Sequence, residues 1–364
     1  MSVLITVSDM GVGGAERMVS QLARTLRDRG RETVVAAGTG PLDRELEAAG
    51  VERALLPHSS RSPVRAAAVV GALARVTKRV RPELVHAHNP RIAASSVLAA
   101  RAARPFGRPP VLATFHGVLP SEYAAAARLL RLADHVVCVS GEIAKTLERR
   151  GVPGERLSVI PNAVEPVEPL APERLAALDS ELRIGEAPVF SVVARLVPQK
   201  AHERFLEAAR IVAESHPETR FLVVGDGPLR AEMEELAREL GVADQVLFTG
   251  ARADARDIIA RSRALVFSSN WEGLSVAALE AMSAGVPVVS TEVEGMREML
   301  GSGAGLMVGH EPRELAAAMS RLVERPDEGE RMGAIGRDLS RTVYSPPAMA
   351  AAYDELYDRL IAAR

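Results

Sequence analysis

Cysteine is nearly absent. Cys138 is the only one, inside the apolar run Val136-Val-Cys-Val139, so a disulfide framework is excluded and a buried, inert thiol is expected. Aromatic residues make up 3 % of the chain, too few for platforms on which nucleic-acid bases stack, and no nucleic-acid partner is expected. No run approaches 18 apolar residues, which argues against a membrane-spanning helix. The opening residues Ser2-Val-Leu-Ile-Thr-Val7 have no basic flank before them and no cleavage site after them. They read as a strand rather than a signal peptide, and a cytoplasmic setting is expected. Carboxylates spaced Asp-x-Asp occur nowhere, so no metal site is expected.

What is present fits a soluble α/β protein. The 364 residues are 47 % apolar and 25 % charged, enough for two domains with separate cores. A net charge of −2 hides an asymmetry: residues 1–165 carry 23 Lys/Arg against 15 Asp/Glu, and residues 166–364 carry 22 against 32. Segment 61–108 holds ten basic residues and one acidic residue, Glu83. Within it, 61–81 mixes apolar and cationic positions at helical spacing. Two readings stand: peripheral contact with an anionic membrane, or a surface helix packing Val69, Leu73 and Val76.

Apolar runs at 2–7, 33–37, 83–87, 111–115, 135–139 and 157–160, separated by helical stretches, have the βαβ rhythm of a doubly wound parallel sheet. The rhythm resumes at 188–194, 220–225, 246–248, 264–267, 287–290 and 305–308. Pro161, Pro166, Pro169 and Pro172 lie between, which places an interdomain linker at about 163–185. The expected domains are 1–165, joined by a C-terminal helix at 347–364, and 166–346. After the first strand, Gly11, Gly13 and Gly14 let backbone approach a ligand, or merely turn the chain. His86-Ala-His88-Asn89 ends the third strand and Ala113-Thr-Phe-His-Gly117 the fourth, both at edges where α/β crevices form. His86 and His88 share a face, but no third metal ligand accompanies them.

The most informative stretch is Val266-Phe-Ser-Ser-Asn-Trp-Glu-Gly-Leu-Ser-Val-Ala-Ala-Leu-Glu-Ala-Met-Ser-Ala-Gly-Val-Pro-Val-Val-Ser290. It reads as strand, loop, helix and strand, with Ser275 able to cap the helix and Gly285 to stop it. Backbone N–H groups at Leu274, Ser275 and Val276 then form a helix end suited to an anion such as a diphosphate. Glu272 sits on the loop, and Glu280 lies roughly 7 Å along from Ser275, leaning back toward the N-terminus. Taken alone, two glutamates at this spacing also fit a solvated surface.

In this wording, Glu272-Gly-Leu-Ser-x4-Glu280-Ala-Met-x-x-Gly-x-Pro-Val-Val resembles the Glu-x7-Glu signature of family-4 retaining glycosyltransferases. Three other stretches resemble the same family: Gly13-Gly-Ala-Glu16-Arg, Ile160-Pro-Asn-Ala-Val-Glu165 and Arg195-Leu-Val-Pro-Gln-Lys200. The matches run in family order from residue 11 to about 290. They imply the GT-B fold, two Rossmann-like domains facing across a cleft. Arg195 and Lys200 would clamp the diphosphate of a nucleotide sugar with the amides of Gly273, Leu274, Ser275 and Val276. His116 and Glu272 would orient the transferred sugar, Glu280 would hold ribose, and Arg252 would border the nucleobase. Gly13 and Gly14 would face the donor, with Glu16, His88 and Asn89 on the acceptor side. Ala163, Glu165 and Ala201 depart from the family pattern, as does 291–301, where a glycine pair is usual.

The resemblance implies retaining, metal-independent sugar transfer, with no cofactor beyond the co-substrate. The donor would be a UDP-sugar, with GDP open. The acceptor would be a hydroxyl on a lipid-linked or a small molecule. A UDP-sugar 2-epimerase and a non-catalytic sugar-nucleotide-binding protein remain as alternatives from other classes.

Overall fold

A computed structural model describes residues 2–11, 13–58 and 62–363. Arg61, counted above with the basic segment, lies outside them. The chain divides into two compact units, Met1–Ala163 with Pro346–Arg364, and Val164–Ser345.

The first unit is built on strands β1 (Ser2–Thr6), β2 (Glu32–Ala37), β3 (Glu52–Leu55), β4 (Leu84–His88), β5 (Val111–Phe115), β6 (His135–Cys138) and β7 (Leu157–Val159). They form one parallel sheet in the order β3-β2-β1-β4-β5-β6-β7. The central strands are buried throughout, because helices cover both faces of such a sheet and leave no polar side for alternation. β3 escaped the sequence pattern: it is a four-residue edge strand, and its Leu55 is 67 % exposed. Between β4 and β1 the winding reverses, the place where open α/β sheets bind ligands beyond their carboxyl ends.

The second unit repeats the design with β8 (Val189–Val193), β9 (Arg220–Val224), β10 (Val246–Gly250), β11 (Ala264–Phe267), β12 (Val288–Thr291) and β13 (Gly305–Val308). The order is β10-β9-β8-β11-β12-β13, again parallel, with the reversal between β8 and β11. One core cluster joins Phe190, Phe205, Phe221 and Val266 to Leu315, Met319 and Leu322.

The linker reading of 163–185 needs correction. Pro172–Leu182 is a helix, and its Leu178 and Leu182, with Ile184, pack on Val189, Leu222 and Ile258 of the second unit. Proline misled because Pro172 opens this helix instead of breaking it. Pro63, Pro90, Pro312 and Pro326 also stand in first turns, where a missing N–H costs little.

The C-terminal helix Pro346–Ala362 belongs to the first unit. Asp354 pairs with Arg29 and Arg31, and Asp358 with Arg31. Helix Pro63–Val80 buries Val69, Ala72, Leu73 and Thr77 and turns Arg65, Arg75, Lys78 and Arg79 outward. Among the described residues no helix is long and apolar enough to cross a membrane.

Candidate active site

In the second unit, two loops leave the carboxyl edge at the β8/β11 reversal. After β8 comes Ala194–Val197 and a single turn of 3-10 helix, Pro198–Lys200. After β11 comes 268–275, leading into helix Val276–Ala284. The loops are stapled to each other. Ser268 Oγ donates to the Lys200 carbonyl at 2.8 Å, Asn270 N to the Gln199 carbonyl at 2.9 Å, and Gln199 Nε2 to the Trp271 carbonyl at 3.1 Å. Arg204 donates to the Ser268 carbonyl and to Asn270 Oδ1.

Lys200 and Glu272 meet inside this frame. Lys200 Nζ and Ser269 Oγ both donate to Glu272 Oε1, each at 2.6 Å, and Glu272 is only 8 % exposed. A buried carboxylate held this way has one orientation, and its cation is already in place. Arg195, by contrast, is exposed at the end of β8, and its guanidinium makes no hydrogen bond among the described residues. It is a fork without a carboxylate.

Ala201, where glycine is usual, adopts the left-handed conformation at φ 45°, ψ 54°. Glycine takes that conformation freely, whereas alanine is strained there by about 1 kcal/mol. Its methyl is fully buried, which offsets the strain, and the turn keeps its shape.

Helix Val276–Ala284 begins at Ser275 and ends at Gly285, φ 74°. The Ser275 side chain makes no capping hydrogen bond, correcting the expected cap. First-turn amides of a helix have no intrahelical acceptor, so Ser275 and Val276 still present N–H groups at this end. The 291–301 segment, lacking a glycine pair, contributes Gly295: a Cβ there would overlap the Gly273 carbonyl. Backbone therefore lies against backbone behind Glu272-Gly273, and Leu274 is buried just beyond.

Glu280, 7 % exposed, accepts from Arg256 Nε at 2.8 Å. Arg252 has a different occupation. Its guanidinium grips Asp254 through two nitrogens, at 2.8 and 2.7 Å, and also pairs with Glu181; Arg174 bridges Asp254 and Asp257. The hydrogen bonds from Arg252 pull the Asp254 carboxyl down to about 2. Arg252 is thus engaged within the protein, and its side chain is a strut of this turn.

In the first unit, the carboxyl edge near the β1/β4 reversal gathers the other expected residues. Gly13 precedes helix Gly14–Asp28, and the Glu16 carboxylate folds over it, where a Cβ would collide. Asn89, at φ 94°, ψ 154°, caps helix Pro90–Ala103: its Oδ1 accepts from Ile92 N at 3.0 Å, and its Nδ2 donates to Ser8 Oγ at 3.0 Å. Its amide is consumed in tying β4 to the loop after β1. That conformation is costly for any residue but glycine.

The histidines form one buried group. His86 contacts Tyr357 OH through Nδ1 and Thr114 Oγ1 through Nε2, both at 2.7 Å, and Tyr353 OH reaches Thr114 at 2.9 Å. Both His86 nitrogens are thus used in anchoring the C-terminal helix, leaving none for a metal. The His88 ring lies tilted against His86, centroids 4.3 Å apart, and stacks on His116, with its Nδ1 3.1 Å from His116 Nε2. Burial holds His86 down at about 3 and His116 at about 4, with Asn162 opposing the shift on His116; His88 is also pushed well below the ordinary range. All three are neutral at pH 7. Among the described residues no cluster of three His, Cys, Asp or Glu side chains is arranged for a metal.

Residues 176–339 match Glycosyl transferases group 1, and residues 12–168 match Glycosyltransferase Family 4. The lipopolysaccharide core biosynthesis glycosyltransferase LpsD of Rhizobium meliloti is 30 % identical over 256 residues, 66 % of this chain and 72 % of that protein. The chain belongs to this glycosyltransferase family. Another relative, the GDP-mannose-dependent alpha-(1-6)-phosphatidylinositol monomannoside mannosyltransferase of Mycobacterium tuberculosis, is 31 % identical over 267 residues, covering 68 % and 69 % of the two chains. The crystal structure of Anabaena Alr3699/HepE in complex with UDP-glucose superposes with a TM-score of 0.86 over 99 % of this chain and 100 % of that one, at 20 % identity. The glycosyltransferase fold is therefore GT-B. Ser269, Arg204 and Arg256 joined this site only in three dimensions, although Ser269-x-x-Glu272 is a spacing that pairs a hydroxyl with a carboxylate.

Proposed function

We propose that the protein transfers a sugar from a UDP-sugar to an acceptor hydroxyl with retention at the anomeric carbon and without a metal ion. The observation that carries this is the Lys200–Glu272–Ser269 cluster, beside unpaired Arg195 and a helix N-terminus, at the order reversal of the second sheet. Arg195, Lys200 and the first amides of helix Val276–Ala284 would neutralise the diphosphate as it leaves, positive charge fixed in advance where negative charge develops. The bond from the anomeric carbon to the diphosphate oxygen breaks with its electron pair on the diphosphate. The acceptor oxygen bonds from the same face, and its proton passes to a phosphate oxygen. Glu272 and His116 would orient the sugar, and Glu280 would hold the ribose. Positioning carries more of the rate than acid–base chemistry.

Calorimetric titration of UDP, GDP and their sugars tests the reading. UDP should bind, and Lys200→Ala should weaken it by about 1.5–3 kcal/mol, the range of a hydrogen bond to a charged group. Transfer should survive EDTA. Absence of binding by any nucleotide would defeat the proposal. Donor turnover without acceptor would indicate the epimerase, and tight UDP binding with no turnover in any acceptor screen a binding protein.

The acceptor is proposed to be lipid-linked, presented at an anionic surface that exposed Arg65, Arg75, Lys78 and Arg79 would approach. Liposomes containing anionic lipid should sediment the protein and neutral ones should not. Equal behaviour toward both would favour a small soluble acceptor.

A further inference from the structure

Three arginines surround the turn after β10, and they differ in what they have left to offer. Arg252 and Arg174 are consumed by Asp254, Asp257 and Glu181. Arg256 is held at Nε alone, by buried Glu280, and its guanidinium makes no other hydrogen bond among the described residues. Its side chain is 39 % exposed. It stands at the start of helix Ala255–Arg261, which packs against helix Val276–Ala284. Both helices start at the carboxyl edge of their parallel sheet, the ligand-binding edge of such a fold.

A planar guanidinium anchored at Nε leaves four N–H donors unclaimed: one lies beside Nε–H on the anchored edge, and the other three point away from the anchoring carboxylate. Glu280 and Arg256 together thus present an acceptor and a rigid donor fork side by side. Hydroxyls suit the first and carbonyl oxygens the second, and a nucleoside carries both, on its ribose and on its base. We infer that Arg256 is a specificity-determining residue that reads the base of the donor nucleotide while Glu280 takes the ribose. This rests on the proposed assignment of Glu280 to ribose. It also supplies the base-reading side chain that Arg252, already engaged, does not.

The test is titration of UDP, GDP, 2′,3′-dideoxy-UDP and inorganic diphosphate into the wild type, Arg256→Gln and Arg256→Lys, with thermal melting to establish that each is folded. Arg256→Gln should weaken UDP about tenfold, leave inorganic diphosphate unchanged, shift the UDP-to-GDP ratio at least about threefold, and lose as much on dideoxy-UDP as on UDP. Arg256→Lys, which keeps the charge but not the fork, should behave like Gln in the ratio. An arginine that only steadies Glu280 gives a different pattern: the loss vanishes with dideoxy-UDP and the ratio holds, which overturns the inference. A wild type that binds UDP and dideoxy-UDP equally removes the ribose assignment, and this inference with it. A wild type that binds no nucleotide removes the proposed function itself.

Discussion

Glu272→Gln is expected to bind UDP more tightly than the wild type, severalfold, and to transfer sugar at least about a hundredfold more slowly. The two signs come from one contact. Lys200 Nζ lies 2.6 Å from Glu272 Oε1, so part of the lysine's charge is neutralised before any ligand arrives. Removing the carboxylate frees that charge for the diphosphate and removes a like charge near it. It also removes the group proposed to orient the sugar. A carboxylate serving only to stabilise the loop would give weaker UDP binding or unchanged transfer, and either result would sink the reading. Lys200→Ala needs the same care: it strands Glu272 as a buried unpaired charge, a loss of stability of about 3–5 kcal/mol. The Lys200→Ala, Glu272→Gln double variant separates the two effects. It should regain most of the stability and none of the UDP affinity owed to Lys200.

Acidification is expected to unfold the first unit well before the second. His86, His88, His116 and His135 are all held by burial below the ordinary imidazole range, His86 to about 3 and His116 and His135 to about 4, with Arg359 adding to the shift on His135. In the unfolded chain each takes a proton near pH 6.5; in the folded unit each resists it. Between pH 6.5 and about 4 the unfolded state therefore binds more protons, and stability falls as pH falls. Each histidine contributes a slope of up to about 1.4 kcal/mol per pH unit, so four together rival an ordinary stability margin within two units. The second unit has one comparable histidine, His202, at about 4. Amide exchange from pH 7 to 4.5 should show protection lost first in β4, β5 and the C-terminal helix. Simultaneous loss in both units, or none, would contradict this.

What the sequence disclosed depended on how local each signal was. The buried strands were legible because parallel sheets favour unbroken apolar runs, and Ala264–Phe267 or Phe221–Val224 can be little else. β3 was illegible because an edge strand of four residues, half solvated, carries no such run. Pro172 was misread because proline marks a helix start and a linker with the same letter. Arg195, Lys200, Glu272 and Glu280 were singled out through the wording around them, and the fold brings Lys200 and Glu272 into contact. Which arginine keeps donors to spare was not legible at all. Arg252 and Arg256 are four residues apart on similar ground, and only their partners, Asp254 with Glu181 for one and Glu280 for the other, tell them apart.

Helix Val276–Ala284 rests on helix Pro326–Thr342, with glycines at the contact. A Cβ at Gly333 would overlap the Gly285 carbonyl, and one at Gly336 would come within 3.2 Å of Met282 Cα. The outer helix is exposed along much of its length and contributes none of the proposed ligand groups. Alanine at Gly333 would nevertheless lift the end of the helix that carries Glu280. A genetic survey of this protein should therefore recover null alleles at Gly333, intermingled along the outer helix with silent ones at Arg331, Glu330 and Arg341. Geneticists without coordinates would place those nulls in the catalytic centre, and in the mechanical sense they would be right.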